Sequence, residues 1–125
     1  MQPINQAQSL MLSLIENHVA FNECDGAAIA RALRENRDLW RGVVMLNEGY
    51  EGFSSLICLR DIERDFWNTS SMFILAESGK ESELLALAQT FKADEVDFLD
   101  RETTSRALGV SSAGYDPKVL RLWWD

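Results

Sequence analysis

A chain of 125 residues is long enough to build one hydrophobic core and too short for two. With 46% hydrophobic and 26% charged residues it lies outside the sparse, highly charged regime of disordered chains, so most of it is expected to fold. Twenty acidic residues against twelve basic give a net charge of −8, which argues against nucleic acid and against an anionic membrane surface, both of which are bound by Lys and Arg replacing counterions.

The same acidity fits a basic protein partner, which it would steer electrostatically, or solubility alone. The basic residues are nine arginines and three lysines, and arginine favours bidentate and stacked contacts. Two cysteines, Cys24 and Cys58, do not make a disulfide framework. No basic and apolar leader opens the chain, and no apolar run approaches the roughly 20 residues a membrane span needs. The expectation is a cytoplasmic protein with both thiols free.

In chain order, residues 1–21 predict a helix starting near Pro3 to Asn5, with Asn5 as cap. Ala7, Leu10, Met11, Leu14, Ile15 and His18 follow helical spacing and mark the face expected to lie against a core or a partner. After the turn FNECDG, a second helix is expected from about Asp25 to Arg41, capped by Asp25 or Asn22 and burying Ile29, Ala30, Leu33 and Trp40. Arg31 with Glu35 and Arg34 with Asp38 stand at i, i+4 on its wet side, in the weaker orientation.

From Gly42 the period changes. Two β-prone runs around the loop NEGYEG suggest an antiparallel hairpin of Val43–Leu46 with Phe53–Leu59. DIERDFWNTS then reads as a connecting turn or one helical turn. MFILAE is apolar on both faces, as an inner strand would be. Ser78 and Glu81 have capping-box spacing, placing a helix start at Gly79 or Lys80, with Leu84, Leu87, Ala88 and Phe91 inward. DEVDFLD is a second strand, and the strand–helix–strand unit predicts a right-handed crossover between parallel strands. RETTSRALGV is a short helix ending at Gly109, and KVLRLWWD a terminal strand in which Leu120, Leu122 and Trp124 alternate with Val119, Arg121 and Trp123.

The fold expected is therefore α+β with an α/β-like C-terminal half. A mixed sheet of about five strands would carry two N-terminal helices and two shorter ones. The whole chain, 1–125, is one domain, with a helical part (1–41), a hairpin and connection (42–70) and a β-α-β-α-β part (71–125).

Most chemical readings fail on the residues themselves. Gly79-Lys80 between strand and helix resembles a phosphate loop, but Ile74 replaces the first glycine and Glu81 the hydroxyl residue. Asp61, Glu63 and Asp65 have the spacing that opens a calcium loop, but Phe66 occupies the turning glycine's place and Met72 the closing glutamate's. His18 is the single histidine, which excludes a histidine-rich metal site, and no nucleophile signature surrounds it or either cysteine. Asp94, Glu95, Asp97 and Asp100 cluster around a strand, where carboxylates can do acid–base work. Asp100 is equally suited to cap the next helix.

What remains points to a non-enzymatic protein-binding module, a small acidic adaptor, chaperone or immunity-type protein. It needs no cofactor or metal, and its partner is a protein, basic or a second copy in a homodimer. In size and acidity the chain is similar to small bacterial binding proteins, a likeness of composition that no motif carries. The interface candidates are Trp123, Trp124 and Arg121 of the last strand with Met11 and Leu14 of the first helix. The alternative is a small enzyme or ligand-binding domain with its pocket at the strand ends near Asp97, Asp100 and Tyr115.

Overall fold

The computed structural model describes residues 3–19, 23–48, 56–110 and 116–125. Among these residues, five α-helices and one four-stranded antiparallel sheet make an α+β fold. The order is α1 (Gln6–Glu16), α2 (Gly26–Glu35), β1 (Trp40–Leu46), α3 (Ile57–Ile62), β2 (Ser71–Ala76), α4 (Glu81–Ala88), β3 (Glu95–Phe98), α5 (Arg101–Leu108) and β4 (Val119–Trp123).

The strands lie in the order β1-β2-β4-β3, and every neighbouring pair is antiparallel. β2 and β3 both run against β4, so the two strands joined through α4 do run parallel, but the last strand is inserted between them. The sheet is thus antiparallel throughout rather than mixed, and its four strands among the described residues come close to the about five expected. β4 is apolar on alternate residues of both faces, and a central position pairs both of its edges.

The expected hairpin is also corrected. β1 pairs with β2 instead, from Trp40 opposite Ala76 to Leu46 opposite Ser71. Of the expected return strand, residues 53–55 lie outside the described residues and Leu56–Leu59 fall in a helical turn and α3. β2 offers β1 a long pairing register and a row of apolar cross-strand neighbours. Ile57, Leu59 and Ile62 are as compatible with helical as with extended spacing.

The pleat sorts the strand residues into two faces. One face carries Met45, Met72, Leu122 and Val96 in one row and Val43, Ile74, Leu120 and Phe98 in the next. Against it pack Leu12 and Ile15 of α1, Ile29, Ala30 and Leu33 of α2, and Leu84 and Ala88 of α4. Trp40 and Trp124 are fully buried at its margins. Each indole finds a partner, Trp40 Nε1 donating to Leu33 O at 2.7 Å and Trp124 Nε1 to Phe91 O at 3.3 Å.

The helix ends follow local chemistry. Asn5, Asp25 and Asp100 cap α1, α2 and α5 by accepting from the backbone amides of Gln8, Ala28 and Thr103. Gly109 closes α5 in the left-handed conformation, φ 67°. The expected capping box of α4 is only half made. Glu81 reaches back to the amide of Gly79, at 3.0 and 3.1 Å, while Ser78 does not cap and the helix begins at Glu81.

α2 is shorter than expected. It stops at Glu35, a 3-10 turn follows at Arg37–Leu39, and Trp40 and Arg41 belong to β1. Arg37, 5% exposed, donates to Trp40 O at 2.8 Å and lies over the Trp40 ring at 4.2 Å. Arg34 turns to Glu16 of α1 at 3.0 Å rather than along its own helix.

α1 is rotated relative to its expected stripe. Leu12, Ile15 and His18 face inward, while Ala7, Leu10 and Leu14 are exposed. Gly26 explains the closeness of α1 to α2, because a Cβ there would lie 2.0 Å from Ile15 O. Packing at that distance fixes which side of α1 meets the core.

Candidate functional site

The second face of the sheet carries the features that packing does not use. By strand register, Leu46, Ser71, Trp123 and Glu95 form one row. Val44, Phe73, Arg121 and Asp97 form the next, and Gly42, Leu75 and Val119 the last. Val44 and Leu46 are 41% and 38% exposed, and Phe73, Leu75 and Trp123 are half-buried. Leu108 of α5 reaches over the last row, where it shares with Gly42, Val44, Phe73, Leu75 and Val119 an apolar groove of about 210 Å³. That volume suits one large apolar side chain better than a metabolite, whose pockets run to roughly 300–1,000 Å³.

Arg121 stands at the centre of this face and is tied down by carboxylates. Its guanidinium meets Glu48 in a two-point contact, Nε to Oε1 at 2.6 Å and Nη2 to Oε2 at 3.0 Å. Its Nη1 donates to Glu95 at 2.9 Å and lies 4.0 Å from Asp97. The hydrogen bonds from Arg121 hold the Glu48 carboxyl below its ordinary range, and those to Glu48 and Glu95 raise Arg121 further above its own. Glu48 and Arg121 are therefore both charged at neutral pH. Three carboxylates share one guanidinium, and the face keeps a surplus of negative charge.

The sequence candidates divide accordingly. Trp123 and Arg121 lie on this face, and so does Asp97. Trp124 points the other way into the core, with no exposed surface. Met11 packs partly buried against the core, whereas Leu14, 38% exposed, lines a separate groove with Ile62, Phe66 and Trp67. Of the ligand-pocket candidates, Asp100 is occupied as the cap of α5, its carboxyl lowered first by the Thr103 amide. Tyr115 lies outside the described residues. The acidic run is dispersed rather than gathered, since Asp94 accepts from the amide of Asp125 at 2.7 Å.

The cleft at that end of the strands, about 410 Å³, is lined instead by Arg41, Ser78, Glu81, Asp116 and Lys118. Lys118 is paired with Asp116 at 3.0 Å, and Arg41 stands 3.9 Å from Glu77.

Nucleophile chemistry has little to work with. Burial, reinforced by Asp25, pushes the Cys24 thiol up to about 12, and burial beside Asp61 raises Cys58 as well. Among the described residues, no three His, Cys, Asp or Glu side chains come together as a metal site. No helix there is long and apolar enough to cross a membrane.

Sequence reasoning did not find Glu48 or the groove beneath Leu108. Glu48 stands just past the end of β1, 73 residues from its arginine, and no local pattern marks such a pair. Comparison with protein-family models, with curated proteins and with solved structures gives no match.

Proposed function

We propose that this chain is a non-enzymatic protein-binding module of the cytoplasm, and that the second sheet face receives a basic segment of a protein partner. The observation that supports it is one juxtaposition. Half-exposed apolar residues of three strands, Val44, Phe73 and Trp123, lie directly beside three carboxylates that a single arginine does not neutralise. Tryptophan with a charged neighbour is a common centre of binding energy, and a surplus of carboxylates selects a cationic partner and speeds its approach. An apolar side chain of the partner fills the groove beneath Leu108 while its Lys or Arg residues meet Glu95 and Asp97.

The test is calorimetric titration with an amphipathic Lys/Leu peptide and its Glu/Leu counterpart. The Lys/Leu peptide is expected to bind. Asp97→Lys, or Trp123→Ala, weakens it at least about tenfold, or 1.4 kcal/mol. The charge-matched control Glu83→Lys, on exposed α4 surface, leaves it unchanged. Equal binding of both peptides, or equal weakening by Asp97→Lys and Glu83→Lys, removes the reading.

A further inference from the structure

The sheet order β1-β2-β4-β3 leaves two edges, and the chain treats them differently. On β1 the outward-pointing Val43 has both backbone groups occupied. Its carbonyl accepts from Gln8 Nε2 at 2.7 Å and its amide donates to Gln8 Oε1 at 3.1 Å, so a side-chain amide stands where a further strand could pair. β3 has no such cover among the described residues. Its backbone turns towards β4 at alternate positions. Leu99 N donates to Val119 O at 2.9 Å, and the register of Asp97 opposite Arg121 and Glu95 opposite Trp123 continues that alternation. The amide and carbonyl groups of Val96 and Phe98 therefore point off the sheet, and no described residue pairs with them. Unpaired groups in such a row suit an extended chain rather than a helix, which satisfies its own amides.

The side chains of β3 select among extended chains. Pleating puts Glu95 and Asp97 on the second face, their side chains 56% and 68% exposed, where they share Arg121 with Glu48 and leave negative charge over. Val96 and Phe98 lie on the core side, half-buried. Neighbours across a strand pair share a face. An added strand with Lys or Arg beside Glu95 and Asp97 therefore places its intervening apolar residues beside Val96 and Phe98. A second copy pairing through the same edge would set these carboxylates against their own duplicates, which is unfavourable.

Resting on the sheet-face reading above, we propose that the basic segment of the partner binds as an extended strand added to the free edge of β3, with cationic and apolar residues alternating along it.

The experiment is calorimetric titration with two Lys/Leu peptides of equal length and composition, one strictly alternating and one with helical spacing. The alternating peptide is expected to bind at least about tenfold more tightly. In an added strand only every second amide faces β3. N-methylation of its leucine amides in one further peptide, and of its lysine amides in another, is therefore expected to give affinities at least about tenfold apart. Val96→Pro removes an outward N–H and leaves the β3–β4 ladder its donors, as an edge strand allows, and is expected to weaken the alternating peptide at least about tenfold. The methylated peptides probe the unaltered protein, so they decide the outcome should Val96→Pro fold poorly. Equal binding of the two spacings, or equal effects of the two methylations, overturns strand addition and leaves the sheet-face reading standing. Binding of neither peptide removes both.

Discussion

His18 is 7% exposed, and its Nε2 lies 2.8 Å from the carbonyl oxygen and 2.9 Å from the amide nitrogen of Thr69. The imidazole thereby fastens the end of α1 to the chain entering β2, while its Nδ1 has no hydrogen-bond partner among the described residues. A second proton would add a buried charge, and the cost of its burial outweighs the hydrogen bond that the Thr69 carbonyl offers, so the pKa is lowered from the ordinary 6.5. The unfolded chain then takes up this proton at a higher pH than the folded one. Stability from this group is complete above about pH 6.5 and falls as pH drops from there to the folded-state value, by at most about 1.4 kcal/mol per pH unit. Melting temperatures at pH 7.5 and 5.5 are expected to differ more for wild type than for His18→Gln. An equal loss in both would place the acid sensitivity elsewhere.

At the scale of elements, the close meeting of α1 and α2 governs how much of α1 remains exposed. Gly26 belongs to the first turn of α2, and its missing Cβ admits the backbone of α1 at Ile15. Gly26→Ala is expected to destabilise the protein by about 2 kcal/mol or more, despite alanine's better helix propensity, because rigid backbone must move. Urea denaturation checks this. A stabilised variant would mean that the helices separate freely. Gln8 of α1 shows a second link between elements. Its amide donates to Val43 O at 2.7 Å and accepts from Val43 N at 3.1 Å, filling one outward position of the edge strand β1.

The end caps were readable because each depends on residues within one turn of chain: Asn5, Asp25, Asp100 and Gly109 stand where side-chain chemistry places them. The rotation of α1 was not readable. Its sequence is apolar on more than one side, and only contact with Gly26 and β1 selects Leu12 and Ile15 over Leu10 and Leu14.

For the molecule as a whole, the proposed sheet-face contact carries a salt signature. Attraction between Glu95, Asp97 and a cationic peptide is screened as ionic strength rises. From about 0.02 to 0.5 M salt, peptide affinity is therefore expected to fall, and calorimetric titrations across that series measure it. An affinity that does not change with salt would show that these carboxylates take no part in binding.

Composition, capping residues and strand alternation together determined an α+β domain, the β-α-β-α-β order after residue 71, and the two-sided character of the last strand. Those properties rest on local conformational preference and on the period-two and period-3.6 distribution of apolar residues. The tertiary structure decided that β4 lies between β2 and β3, that β1 pairs with β2, and that Glu48 and Glu95 meet Arg121. It also decided that Trp124 is core while Trp123 lies on the second face. Contacts across tens of residues are selected by competition among all the apolar surfaces of the chain at once, and no window of sequence contains that competition.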